Sequence, residues 1–233
     1  MISPPTNIPK TTIYLRDKFT LQPNRQRQFA AGVRAQIQWA ASKWKLVAAC
    51  ADQKFPMETN SPSPPPMMHI WKQRDNQWSG LYDSMYDSSE LNWYTSLEQS
   101  ILQEHQDLLV NYHVGYGVQP HPACKGSKPE YVYRYQEVRL KNTATPLGYL
   151  AILNWFAEAL NERGWSWVWS ASQVTGEPAV LCFLWCSTGS RTFDDIIGDL
   201  QRNSATKQDY NQFLSQTTMI WDKTMYPLET ECW

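Results

Sequence analysis

Residues 12–21 read TIYLRDKFTL and residues 131–140 read YVYRYQEVRL. Both runs are rich in β-branched and aromatic side chains, which predicts two strands. A Pro-containing turn follows each, at Pro23 and Pro146, and then an amphipathic helix. Phe29, Val33, Ile37 and Ala40 recur at intervals of three and four in the first helix; Leu150, Leu153, Ala157 and Leu160 do so in the second. Gly164 follows the second helix as its expected C-cap. Second strands come next at Trp44–Ala51 (WKLVAACA) and Trp165–Ser172 (WSWVWSAS), both opening on Trp at an offset of 121 residues. Third strands are expected at Met67–Lys72 and Leu181–Cys186, where Trp71 aligns with Trp185 at an offset of 114.

Long helices are expected from about Glu90 to Val110 and from about Gln208 to Met225, because Tyr94, Leu97 and His105 align with Tyr210, Phe213 and Trp221 at one offset of 116. A fourth strand, Asn111–Val118, would finish the first copy; the second is expected to stop near Pro227 without one. This is the β-α-β-β-α(-β) order of a ferredoxin-like unit, twice. Such a unit leaves one sheet face bare, and two copies can cover each other. The expected fold class is therefore α+β: tandem ferredoxin-like repeats forming an intrachain α+β barrel, with antiparallel sheets and helices outside. The boundaries read as an N-terminal extension (1–11), a first repeat (12–118), a linker (119–130, QPHPACKGSKPE) and a second repeat (131–233).

Composition narrows the function classes. The 233 residues carry 21 Lys+Arg against 22 Asp+Glu, a net charge of -1, with no basic concentration on either side of Pro120. Nucleic-acid binding needs a concentrated basic face, so none is expected. No run of ~18 apolar residues suggests a membrane span, and the Pro-rich start lacks a secretory h-region, so a cytoplasmic protein is expected. Five cysteines without dense spacing read as reduced thiols. Cys182 and Cys186 share a strand face roughly 13 Å apart, too far for one zinc. Phosphate-loop, dinucleotide, zincin and serine-hydrolase signatures are absent. Twelve Trp and twelve Tyr suit a pocket for a ring-bearing ligand.

The run IYLRDKFTL, a helix, KWKLVAAC, a long loop, MHIWKQ and then LEQSILQEHQDLL resembles a NIPSNAP-type domain of the dimeric α+β-barrel superfamily. The resemblance covers nearly the whole chain as two fused copies. It implies a cavity inside the barrel or between sheet and helices. The activities it implies are cofactor-free oxygenation, cyclisation, isomerisation or decarboxylation, with haem-dependent chemistry in some members. No cofactor is expected; haem would fall to His105 or His113. The leading expectation is a small-molecule tailoring enzyme working by acid/base chemistry on an apolar, ring-containing or polyene substrate. The alternative is a ligand-binding or interaction protein. As partners, a small hydrophobic or aromatic ligand is expected, with the chain a monomer or homodimer.

His69 shares its strand face with Met67 and Trp71 and aligns with Phe183; it reads either as a satisfied core histidine or as a general acid/base. His105 lies on the Tyr94–Leu97–Ile101–Leu108 stripe and points toward the sheet in the helical reading. His113 stands beside Gly115 and Gly117, and His121 in the linker is set aside. Parity along the first strand turns either Arg16 or Asp17 inward, and an inward charge needs a partner. Arg16 with Tyr14 would hold a substrate oxygen. Arg134 and Glu137 raise the same question in the second half. Trp165, Trp167 and Trp169 read as one face of one strand, either core or an aromatic wall extended by Trp44, Trp71 and Trp185. The expected catalytic set is His69, His105 and Arg16. The expected binding set is Tyr14, Trp44, Trp71, Tyr94, His113, Trp165, Trp167, Trp169 and Trp185.

Overall fold

The computed structural model describes residues 12–41, 44–54, 56–57, 60–74, 97–110, 131–141, 146–173, 180–187 and 189–228. The first half contains β1 (Ile13–Leu21), α1 (Gln26–Ala40), β2 (Trp44–Ala51), β3 (Met67–Gln73) and β4 (Ile101–Val110). The second contains β5 (Val132–Leu140), α2 (Pro146–Asn161), β6 (Trp165–Gln173), β7 (Val180–Ser187), α3 (Phe193–Arg202), α4 (Lys207–Gln216) and β8 (Thr217–Pro227). The strands close an antiparallel barrel in the order β1-β3-β2-β8-β5-β7-β6-β4. The α+β barrel with helices outside is the architecture read from the sequence. The first eleven residues and the 119–130 linker lie outside the described residues. Among the described residues no helix is long and apolar enough to cross a membrane.

Each half is a four-stranded sheet, and the two sheets meet at two short seams. Cys50 and Ala51 pair with Pro227 and Tyr226 on one side; Leu109 and Val110 pair with Gln173 and Ser172 on the other. The halves also share an irregularity. β2 slips register against β3 between Leu46 and Ala48, and β6 slips against β7 between Trp167 and Trp169. The extra residues are Val47 and Val168, separated by the same 121 positions as the two opening tryptophans.

Two expectations about the long helices are corrected. Leu97 and Glu98 are helical, but Ile101–Val110 is β4, hydrogen-bonded to β1 along nearly its whole length. The expected strand at Asn111–Val118 lies outside the described residues. In the second half the helix stops at Gln216 and Thr217–Pro227 is β8, so this half does have its fourth strand. The offset of 116 survives the correction, because it carries Ile101–Val110 onto Thr217–Tyr226. ILQEHQDLLV is built from good helix formers, and tertiary pairing with β1 overrides that preference. TTMIWDKTMY is β-branched and aromatic, a strand signal present in the sequence itself.

Three layers of core result. The barrel interior is filled by Tyr14, Met68, Ile70, Tyr133, Tyr135, Trp169 and Leu184. Outside the first sheet, Phe29 and Val33 of α1 cover Phe19, Leu21, Ala49 and Met67. Outside the second, Leu153 and Phe156 of α2, Ile196 of α3 and Phe213 of α4 cover Trp165, Phe183 and Trp185. Thr192 and Asp195 form a capping box at the start of α3, which makes Asp194 and Asp195 helix-start charges. Asp83 and Asp87 lie outside the described residues.

Gly164 ends α2 in the left-handed region, at φ 88°, with nothing within 4 Å of where a Cβ would sit. Conformation alone therefore requires glycine there. Gly164→Ala should lower unfolding stability by about 1 kcal/mol, read as a fall in the urea midpoint at unchanged slope. An unchanged midpoint would remove the conformational requirement.

Candidate functional site

Strand parity decides what faces the barrel interior. Along β1 Tyr14, Arg16 and Lys18 point inward, while Ile13, Asp17 and Phe19 point out toward the helix layer. Arg16 is 1% exposed. Its Nη1 donates to Glu137 Oε1 at 2.7 Å, to the Tyr135 hydroxyl and to Cys182 Sγ at 3.3 Å. Its Nε donates to Asp107 Oδ2 at 3.0 Å, and Nη2 donates to the same oxygen. Lys18 Nζ reaches Glu137 Oε1 as well, and Tyr135 donates to that oxygen at 2.9 Å. Arg16, Lys18 and Asp107 come from the first half; Tyr135, Glu137 and Cys182 come from the second. Two cations and two carboxylates therefore balance inside the barrel, across the halves.

The environment sets the protonation states. Burial alone would weaken the charge on Arg16, but Tyr135, Cys182, Glu137 and the Asp107 hydrogen bond outweigh it and hold the guanidinium above its ordinary value. Burial pushes Asp107 up, yet the Arg16 hydrogen bond and charge bring it below the usual carboxylate range. Tyr135 is driven well above its ordinary value by burial, and Cys182 is raised by the same cause. Burial raises Tyr14 to about 12. At neutral pH the cluster is thus two ion pairs surrounded by neutral donors.

Above this cluster the barrel opens. A cleft of about 260 Å³ is lined by Lys18, Thr20, Asp52, Gln103, His105, Trp221 and Lys223, with apolar walls from Phe19, Met67 and Met225, and Asp52 pairs with Lys223 at 3.6 Å. His105 stands on the rim, its side chain 69% exposed, with Nε2 3.1 Å from Asp107 Oδ1. Asp107 thus bridges the rim imidazole to the buried guanidinium. Lys18 Nζ lies 4.2 Å from the centre of the Trp221 ring and Lys223 Nζ lies 5.9 Å from it. Trp221 meets Tyr135 edge to face, with ring centroids 5.2 Å apart. An imidazole held this way by a carboxylate donates Nε2–H inward and leaves Nδ1 to exchange a proton with a molecule at the mouth.

The structure brings together Arg16 and His105, and separately Tyr14 and Trp169, whose rings meet edge to face at 5.7 Å inside the barrel. The other expected residues lie elsewhere. His69, Trp71 and Trp44 are in the layer outside the first sheet: His69 packs on Phe19 and Phe29, and Trp71 Nε1 donates to Asp17 Oδ2 at 3.1 Å. The three tryptophans of β6 do not share a face. The Val168 bulge sends Trp165 and Trp167 outward with Trp185, while Trp169 turns into the barrel. Tyr94 and His113 lie outside the described residues. Of Arg16 and Asp17, Arg16 is the inward one. Arg134 faces outward, paired with Asp222 and Asp194.

Asp107, Lys18, Tyr135, Trp221 and Lys223 are the residues sequence reasoning missed. Asp107, Trp221 and Lys223 were concealed by reading β4 and β8 as helix. Lys18 and Tyr135 were recoverable from period-2 parity, since they follow Arg16 and Tyr133 on the same inward faces. Among the described residues, no three His, Cys, Asp or Glu side chains converge as a metal site. Cys50, Cys182 and Cys186 are buried and form no disulfide among the described residues.

No protein-family model matches the chain, and no curated protein sequence does. Solved structures resemble it in fold. A monooxygenase-type protein from Lactobacillus acidophilus NCFM superposes with a TM-score of 0.55 at 9% identity, over 93% of each chain. A chlorite dismutase variant from Candidatus Nitrospira defluvii gives 0.58 at 10% identity, over 95% of this chain and 93% of that one. An anthrone oxidase-like protein gives 0.51 at 11% identity, over 94% and 92%. At these identities the likeness is one of fold, an antiparallel α+β barrel.

His69 is 2% exposed, and its Nε2 has no hydrogen-bond partner among the described residues. Burial lowers its pKa from 6.5 to about 3. The unfolded chain therefore binds the extra proton first, and stability is lost as pH falls from about 6.5 toward 3. Asp17 acts in the opposite sense: burial and the neighbouring Glu104 raise it to about 7, so protonation below that pH favours the folded state. His69→Phe, the residue at the matching position of the second half, should remove the acid loss and keep the gain. Urea unfolding from pH 7 to 4 should show the variant gaining on the parent by up to ~1.4 kcal/mol per pH unit. Parallel stability curves would contradict this assignment.

Proposed function

We propose that the barrel mouth binds a compact, ring-bearing molecule carrying an acidic or carbonyl oxygen and moves a proton on it. The observation that carries this reading is the His105–Asp107–Arg16 chain at the rim of a cleft shared with Lys18, Lys223 and Trp221. The cleft, at about 260 Å³, is just below the ~300–1,000 Å³ of typical drug-sized sites, which favours a small substrate. Its walls are Trp221, Phe19, Met67 and Met225; its polar groups are the Lys18 and Lys223 ammoniums, the His105 imidazole, the Thr20 hydroxyl, the Gln103 amide and the Asp52 carboxylate, which lies 3.6 Å from Lys223 Nζ. The ammoniums suit a phenolate, enolate or carboxylate oxygen, and His105 Nδ1 takes or returns the proton. Asp107 keeps the ring oriented, and Arg16 keeps Asp107 ionised. Proton removal of this kind starts isomerisation or cyclisation, and it prepares an electron-rich ring for direct oxygenation. The oxidative names among the structural neighbours, and the NIPSNAP-type resemblance in the sequence, support small-molecule turnover of this class.

Haem fits the described residues poorly. His69 is enclosed by the Phe19, Phe29 and Trp71 rings at centroid distances of 4.9, 5.8 and 5.9 Å, with no slot for a macrocycle. His105 is tied to Asp107 above a small cleft. We therefore propose a reaction without a resident cofactor.

A second reading, ligand carriage without turnover, draws on the saturation of Arg16, whose guanidinium is occupied by protein partners on both edges. The two readings separate on His105. Hydroxylated and carboxylated aromatics should be screened by the change in Trp fluorescence on binding, and the best ligand then assayed for turnover. Catalysis predicts that His105→Ala keeps binding within about threefold but lowers turnover by 10²–10⁴-fold, whereas Trp221→Ala weakens binding itself. Turnover unchanged in His105→Ala would overturn the acid/base assignment, and binding unchanged in Trp221→Ala would move the site away from the mouth.

A further inference from the structure

A second cleft lies on the outer surface of the second half, at the far side of α2 and α3. Its volume is about 450 Å³ and it is lined by Arg163, Arg191, Asp199, Arg202 and Asn203. Three guanidiniums face the Asp199 carboxylate, and Glu162 Oε2 lies 3.5 Å from Arg163 Nη1 on the flank, so the surplus is one positive charge. The arrangement is ordered. Asp199 sits between two arginines, accepting from Arg202 Nη2 on Oδ1 at 2.9 Å and from Arg191 Nη2 on Oδ2. These hydrogen bonds hold its carboxyl below the usual range. Arg163 is anchored by Nη1 to the Ala159 carbonyl at 2.7 Å, at the end of α2. Each arginine thus spends part of its donor fork on the protein and keeps the rest.

At the offsets that align the two halves, Arg163 and Arg191 correspond to Ser42 and Gln77. Gly198 lies inside α3, where glycine is unfavourable, and a Cβ there would come within 3.3 Å of Arg202 Nη2.

We propose that this cleft is a binding site for a dianionic phosphate group, carried by a small phosphomonoester. Three guanidiniums converge on the cleft, and planar guanidinium forks match phosphate oxygens in pairs. Asp199 acts as the spacer that aims Arg191 and Arg202. The site is independent of the barrel mouth.

Isothermal titration of the full chain with inorganic phosphate and with glycerol 3-phosphate, at matched ionic strength against chloride, tests this. Saturable one-to-one binding is expected, weakened about tenfold in Arg191→Gln and in Arg202→Gln, as for loss of a charge-assisted contact. These side chains are exposed, and an unchanged thermal midpoint without ligand checks that the variants fold. Asp199→Asn is the decisive variant. It adds positive charge, so a merely basic patch would bind phosphate more tightly; an oriented site would bind more weakly. Weaker binding supports the proposal. Tighter binding in Asp199→Asn, absence of saturable binding at millimolar phosphate, or preference for a short oligonucleotide of singly charged phosphodiesters would each overturn it.

Discussion

A guanidinium inside a closed barrel has no water to solvate it, so it persists only where carboxylates and other acceptors meet it. Arg16 meets that condition across the join between the halves. Asp107 comes from β4 of its own half and Glu137 from β5 of the other. The backbone seams that close the barrel are short, two residue pairs on each side. Much of what registers one sheet against the other is therefore side-chain structure in the interior, and the charged part of it is centred on Arg16. At the opposite end the interior is apolar and aromatic, with Tyr14, Trp169 and Tyr133. The polarity of the barrel is thus graded along its axis.

That gradient places the candidate site. Where the interior is apolar the barrel is filled; where it is charged the residues end in solvent at a cleft. Positions that correspond between the halves have taken complementary roles: Lys18 of β1 against Glu137 of β5, and Asp107 of β4 against Lys223 of β8. Those four charges, with His105 and its counterpart Trp221, make an asymmetric mouth from a nearly symmetric scaffold. One member of the pair supplies an imidazole and the other an aromatic wall.

Much of the fold was legible because strand and helix signals recur in the same order in both halves, and because the matching tryptophans fix the alignment. The order of β1 to β3 and of β5 to β7 follows from that pattern. What was hidden was local. ILQEHQDLLV continues from Leu97 a helical spacing through Ile101, His105 and Leu108, and only pairing with β1 makes it a strand. Reading it as helix removed Asp107 from view and pointed His105 at the sheet instead of the barrel mouth. The Val168 bulge is likewise invisible in WSWVWSAS, where alternation puts three tryptophans on one face. For the site, Arg16 and His105 were found as residues, but the link between them through Asp107 is a tertiary fact. His69 was chosen by residue type; its surroundings of Phe19, Phe29 and Trp71 mark it as core.

The claim on which the rest stands is that Arg16 and Glu137 couple the two halves. A double-mutant cycle of Arg16→Met and Glu137→Gln, followed by urea unfolding at pH 7, measures that coupling with the packing contributions subtracted. Each single variant should be destabilised, the double variant should recover part of the loss, and the coupling energy should be about 2 kcal/mol or more. Losses that add, with a coupling energy under about 0.5 kcal/mol, would contradict it and leave the barrel held by its apolar core alone.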